Sequence, residues 1–300
     1  MNRYLFHSLK WSKSFLVRPI KTINWIKEDL KKDLNFKRFN SPYHKVWCAG
    51  LPKSGTTLIE KIIDALPYVK LNNSLLRVYH QGELDHGHGI SDYMFKNVKK
   101  NKYTFLKTHT HYEKKYEDIA NRHNFKIIIS MRDLRDMLIS RYFHILSDRD
   151  HWLHKNIIDL NFTEGFINSI KVKSNKDSPN ALNYYYYWIL NWSKVANQKK
   201  LLTLWYEEYK KNPNDYINQV LNYLGFNEFS SQEIEEKLIK RRKKNILLSS
   251  SLKEYGRSRD TFRKGEVGEW KKYFNQKIID YFNSNIPESI ENITFENLKR

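Results

Sequence analysis

The chain has 300 residues, 40% apolar and 29% charged, and 53 Lys and Arg against 33 Asp and Glu leave a formal charge of +20. That balance describes a globular chain with room for one sizeable α/β domain. No apolar run approaches the roughly 18 to 20 residues of a spanning helix, so a transmembrane segment is not expected. The N-terminal stretch, broken by lysines, is too poor in apolar runs for a secretory leader. A single cysteine, Cys48, excludes an internal disulfide framework and fits a reducing, cytoplasmic compartment. The positive field favours anionic partners, whether nucleic acid, an acidic membrane surface, a nucleotide or an acidic polysaccharide.

Residues 1–41 read as a basic extension, helical where amphipathic. Lys45 to Gly50 (KVWCAG) is short, β-branched and aromatic, ends in glycine, and is predicted to be a buried strand. The stretch Gly50 to Leu58, GLPKSGTTL, has the glycine spacing of a phosphate loop, but Thr56 stands where the lysine of G-x-x-x-x-G-K-[ST] belongs. From Thr56 a helix is predicted on Leu58, Ile59, Ile62, Ile63 and Leu66, closed by Pro67. Such a strand, loop and helix point backbone N–H groups at an anion.

Asn72 to Lys102 reads as a long excursion around GELDHGHG. Tyr103 to His109 and Phe125 to Arg132 are predicted strands with a helical segment between them. Leu134, Leu138, Tyr142 and Ile145 repeat at helical spacing after Arg132. The aromatic block Asn183 to Trp192 reads as a helix, Lys200 to Tyr209 as a strand, and Asp215 to Gly225 as a helix ended by glycine after an interruption at Pro213. Another helix starts at Ser230 or Ser231, with a glutamate three residues on. Ser249 to Trp270 reads as loop. Alternating strands and helices imply parallel βαβ units, an α/β fold with a central, mostly parallel sheet flanked by helices.

Each motif alone is weak. Together, PKSGTT after one strand, KTH ending the next, Arg132 ending a third with Ser140 eight residues on, and RKGEVGEW near the C-terminus form an ordered set. This set resembles the nucleotide-dependent sulfotransferases, especially the cytosolic type, over about residues 42 to 285. Residues 286–300 would then be a tail. SGTTLIEKIIDALP also resembles the loop and helix of carbohydrate and protein-tyrosine sulfotransferases.

The resemblance implies a P-loop NTPase-like fold and 3′-phosphoadenosine 5′-phosphosulfate (PAPS) as co-substrate, with no metal required. It implies that Lys53, Ser54, Gly55, Thr56 and Thr57 hold the 5′-phosphosulfate. Arg132 and Ser140 would bind the 3′-phosphate, Arg263, Lys264 and Gly265 would close over it, and Tyr206 would contact adenine. His109 would be the general base, with Lys53 and Lys107 stabilising transition-state charge. Leu58 stands where the cytosolic family usually carries a tryptophan, so stacking on adenine is lost or supplied elsewhere. His111 adds a second histidine beside the candidate base. Ser250, Ser251 and Leu252 align with the family's TSF, and a dimer motif of the cytosolic type is absent.

Glu83 is the rival base, as in tyrosylprotein-type enzymes. His86, His88 and Asp85 read as loop residues in preference to metal ligands, and the run Lys240 to Asn245 as a solvated helix end. The acceptor is a hydroxyl-bearing small molecule or a carbohydrate; nucleic acid is not expected. The competing functions are a P-loop nucleotide kinase, which the missing Gly-Lys-Ser/Thr opposes, and a basic module binding nucleic acid or acidic polysaccharide, motivated by the charge.

Overall fold

The computed structural model describes residues 45–66, 104–173, 179–199, 201–253, 265–287 and 297, with side chains to 242 in the helix that ends at 253. The N-terminal extension, the 72–102 excursion with Glu83, Asp85, His86 and His88, and Arg263 and Lys264 lie outside these residues. Four strands, β1 (Lys45–Gly50), β2 (Thr104–Thr108), β3 (Lys126–Met131) and β4 (Leu202–Trp205), form one sheet in the order β2-β1-β3-β4. Every pairing is parallel. The α/β parallel-sheet architecture expected from the sequence is therefore the one observed.

The helices are α1 (Thr56–Ala65), α2 (Lys114–Arg122), α3 (Leu134–Ser147), α4 (His154–Ile157), α5 (Phe162–Lys171), α6 (Ala181–Lys199), α7 (Tyr206–Lys211), α8 (Pro213–Leu224), α9 (Ser231–Lys253) and α10 (Gln276–Asn285). Strand period divides the core into two. Trp47, Ala49, Ile127, Ile129 and Met131 pack with α3, α5 and α6, while Val46, Cys48, Ile128 and Leu204 pack with α1, α8 and α9. Both faces are covered, which is why these strands are continuously apolar instead of alternating. Burial pushes the Cys48 thiol up, so it is an inert core group.

Three predicted boundaries move. The strand read over Lys200 to Tyr209 ends at Trp205, because Tyr206 opens α7 and the Glu208 carboxylate reaches back to accept from the Trp205 N–H at 3.2 Å. Pro213 is the first residue of α8, where its missing N–H costs nothing, with Asn212 accepting from the Asp215 N–H. Gly225, at φ 75°, ends that helix as expected. Ser230 caps α9, its Oγ accepting from the Glu233 N–H at 3.4 Å. That helix runs on to Lys253, so Ser249 to Lys253, including the Ser250, Ser251 and Leu252 segment read as loop, is helical. Helices α4 and α5 went unread; α5 presents Phe166 and Ile170 to the core after an Asn161 cap.

From β1 the chain crosses to β2 on one side, and from β2 back past β1 to β3 on the other. The order reverses at β1, and a ligand crevice opens outside the carboxyl ends of strands at such a point. Gly50 ends β1 there. A Cβ on Gly50 would lie 2.8 Å from Ser54 Oγ, 2.9 Å from Ser130 Cβ, and closer still to Thr56 Cγ2. Gly50→Ala is therefore expected to cost about 1–3 kcal/mol by overpacking, read as a lower urea midpoint with unchanged slope.

Candidate active site

The loop after β1 carries two left-handed residues, Lys53 at φ 72° and Gly55 at φ 111°. Left-handed backbone is uncommon for lysine and stores strain of about 1–3 kcal/mol, a cost that clusters at ligand-gripping loops. Their placement on either side of Ser54 is the alternation of an anion-binding nest. Ser54 is buried and clipped to β3: its Oγ donates to Ser130 Oγ at 3.3 Å, and Ser130 Oγ donates to the Ser54 carbonyl at 3.1 Å.

Helix α1 starts at Thr56 with no side-chain cap and no acidic residue in its first turn. By contrast α3, α5, α8 and α10 are capped by Asp133, Asn161, Asn212 and Asn275. The first-turn N–H groups and the positive end of the helix dipole at α1 thus lie beside the nest. Thr56 is buried, Thr57 exposed, and Leu58 half-buried against the α1 face of the core. Leu58 is thereby a packing residue at the helix start.

His109 follows β2, and its Nδ1 hydrogen-bonds the Gly50 carbonyl. A carbonyl only accepts, so Nδ1 carries the proton and Nε2 is the basic nitrogen. One face of α6 grips the backbone on either side of this histidine. Tyr184 Oη donates to the His109 carbonyl at 2.7 Å, and Trp188 and Trp192 Nε1 donate to the Thr110 carbonyl at 2.8 and 3.1 Å. Trp47 Nε1 donates to Thr108 Oγ1 at 2.9 Å. Tyr184, Trp188 and Trp192 recur every four residues, so the aromatic block fills core and also fixes the candidate base.

His111 meets the Tyr184 ring edge-on, centroids 4.1 Å apart, and burial pushes its pKa down to about 4. It is neutral at physiological pH. Lys107, on β2, reaches across to α1, its Nζ 2.9 Å from Glu60 Oε2 and 3.5 Å from Thr57 Oγ1.

Arg132, just past β3, is buried and joins three segments. Its Nη1 donates to the Lys53 carbonyl at 3.5 Å, its Nη2 to the Glu266 carbonyl at 2.7 Å, and the guanidinium lies 4.7 Å over the Tyr206 ring. Its Nε is buried without a hydrogen-bond partner. Tyr206 Oη donates to the Gly265 carbonyl at 3.2 Å, and its ring lies 3.4 Å from where a Cβ on Gly55 would stand. Ser140 is half-buried, six residues after the first residue of α3.

The segment from Gly265 is secured by Asp136, which sequence reasoning passed over although it stands four residues after Arg132. Its carboxylate accepts from the Gly268 and Trp270 N–H groups at 2.7 and 3.0 Å, while Arg135 stacks 3.9 Å over the Trp270 ring. Burial raises the Asp136 pKa, and these two N–H groups and Arg132 oppose that rise. Glu207, accepting from the Asp133 N–H at 3.0 Å, is pushed by burial from an ordinary 4.5 up to about 7.

The structure thus brings together Lys53, Ser54, Gly55, Arg132, Tyr206 and Gly265, sets Lys107 beside Thr57, and ties His109 to Gly50. Among the described residues no group of three His, Cys, Asp or Glu side chains is placed to hold a metal ion, and no helix is long and apolar enough to cross a membrane.

A parallel sheet flanked by helices, with a glycine loop leading from its first strand into an uncapped helix, is a P-loop NTPase-like fold. Within that class the chain belongs to the sulfotransferase family, whose domain it matches over residues 43–294. Flavonol 3-sulfotransferase of Flaveria bidentis is 25% identical over 277 residues, 86% of this chain and 85% of that protein. Sulfotransferase 6B1 of Mus musculus is 28% identical over 183 residues, 57% of this chain and 52% of that protein. The solved structure of mouse sulfotransferase SULT7A1 complexed with PAP shares the fold, with a TM-score of 0.55 at 20% identity over 87% of this chain and 90% of that one.

Two outcomes check this geometry. Asp136→Ala is expected to lower hydrogen-exchange protection of the Gly268 and Trp270 amides by about tenfold or more, one lost charged hydrogen bond's worth. For Glu207 the folded pKa lies above the unfolded one, so its stabilising contribution is complete below pH 4.5 and is lost as pH rises through about 7. Glu207→Gln should flatten that fall in melting temperature between pH 5 and 8, measured by calorimetry.

Proposed function

We propose that this chain transfers a sulfuryl group from PAPS to a hydroxyl acceptor, with residues 42–285 as the transferring domain between a basic extension and a tail. The observation that carries this is the convergence, at the carboxyl ends of β1, β2 and β3, of an anion loop, a histidine bonded to that loop's carbonyl and a buried arginine. The residues present fit such a donor. The uncapped start of α1 and the nest at Lys53 to Gly55 suit a 5′-phosphosulfate, and the buried Arg132 Nε suits a 3′-phosphate oxygen. The bound donor supplies an electrophilic sulfur and a phosphate leaving group.

His109 Nε2 takes the acceptor's proton as the acceptor oxygen bonds to sulfur and the sulfur–phosphate oxygen bond breaks. The Nδ1–H bond to Gly50 and the grip of α6 hold the imidazole in the tautomer this needs. Lys53 and Lys107 offset the charge that grows on the departing phosphate and the sulfuryl oxygens. Arg132 and Ser140 hold the 3′-phosphate, with Arg263, Lys264 and Gly265 closing over it. Tyr206, under the Arg132 guanidinium and against Gly55, takes the adenine side, and Leu58 supplies apolar contact in place of a stacking ring. The acceptor is a small hydroxyl compound, a reading supported by the flavonol named in a relative that spans most of both chains.

The test is a transfer assay with labelled PAPS across phenols, alcohols and sugars, run beside adenosine 3′,5′-bisphosphate titration. His109→Ala is expected to lower kcat by about 10²–10⁴-fold and leave bisphosphate affinity within about twofold, whereas Arg132→Ala loses affinity by about tenfold or more. Full activity in His109→Ala would return Glu83 to the role of base.

A further inference from the structure

We infer that Glu60 is a positioning residue for the transfer step, holding the Lys107 ammonium toward α1 and limiting its grip on the departing nucleotide. This rests on the reading of Lys107 given above. A carboxylate beside an anion site opposes anion binding, so Glu60 needs a reason to stand there. Helix α1 has no acid in its first turn, and Glu60 is the first it carries.

Glu60 Oε2 lies 2.9 Å from Lys107 Nζ, and the two side chains are only 20% and 13% exposed, so the pair is shielded from salt more than a surface pair. An ammonium has three N–H donors in a fixed tetrahedral fan. One goes to Glu60 and one points to Thr57 Oγ1 at 3.5 Å, on the same face of α1. That leaves the third direction for a ligand oxygen. The lysine is therefore aimed by the protein before an anion arrives, which is the preorganisation that charge stabilisation requires.

The same pair sets strength. The transfer leaves the electrons of the broken sulfur–oxygen bond on the departing phosphate oxygen, and a lysine with no counter-ion would hold that oxygen hardest when the product should leave. Glu60 keeps part of the Lys107 charge engaged throughout, so the ammonium can follow the growing charge and still release it. Asp64, one turn further along α1, provides the internal control. It too is an α1 carboxylate in an ion pair, but its partner is Arg241 on α9, at 3.1 Å.

Glu60→Gln keeps the shape and removes the charge. Calorimetric titration of adenosine 3′,5′-bisphosphate is expected to show a Kd tighter by about three- to tenfold. Steady-state assays should show kcat and the KM for PAPS both falling by similar factors. Asp64→Asn should leave all three within about 1.5-fold, since a charge paired elsewhere is screened. In a Lys107→Ala background Glu60→Gln should no longer tighten the nucleotide, because its effect runs through that ammonium. Glu60→Asp, which withdraws the carboxylate by one methylene, serves if the glutamine variant folds poorly and should tighten Kd less. An unmoved Kd with a lowered melting temperature makes the pair structural only and overturns the inference, as does equal tightening in Asp64→Asn. If the wild-type chain does not bind adenosine 3′,5′-bisphosphate, the donor reading fails and the inference falls with it; wild-type binding with an unmoved Kd in Glu60→Gln sinks the inference alone.

Discussion

The absence of a side chain at Gly50 is the constraint on which the site depends. Its Cα faces Ser54, Thr56 and Ser130 at distances no Cβ could share, and its carbonyl accepts from His109. This one residue ends the central strand, lets the loop fold back against β3 and fixes the tautomer of the candidate base. Loop, base and third strand are registered to one another by close backbone approach. Parallel pairing makes this possible, because it sends the carboxyl ends of β1, β2 and β3 to the same edge of the sheet.

Around that edge the protein invests buried polar groups. Arg132 spans the loop and the C-terminal segment, Asp136 secures that segment by two backbone N–H groups, and Tyr206 ties Gly265 to the wall beside Gly55. The cluster joins residues more than 130 positions apart in sequence at the start of one helix. Carboxylates at the first turn of α3 are also well placed electrostatically, since a helix N-terminus favours negative charge. The aromatic face of α6 does the same for β2, holding the backbone on both sides of His109.

Individual residues separate what was legible from what was not. Lys53, Gly55, Arg132 and His109 stood out because they lie in the ordered motifs that carry the family resemblance, each just past a strand whose period is a strong local signal. The α/β class followed from the same alternation. Asp136 did not stand out, although its partners complete the site: an acid in the first turn of a helix reads as ordinary capping until Gly268 and Trp270 are seen on it. Tyr184, Trp188 and Trp192 lie in the block read as a helix, and the backbone partners of their polar tips carried no sequence signal. Glu60 went unread in the sequence. The end of β4 was overrun because Tyr206 and Tyr209 favour strands, while the capping by Glu208 that turns them into a helix is a one-turn effect.

The sequence by itself determined the strands and the glycine loop, which rest on local periodicity and on glycine's freedom at the turn, and it displayed the four ordered motifs whose resemblance pointed to the family. Only the tertiary structure decided which nitrogen of His109 is basic, what Lys107 is paired with and what holds the C-terminal segment. Each of these depends on a hydrogen bond or ion pair between residues that chain connectivity leaves far apart, and no local pattern encodes the partner.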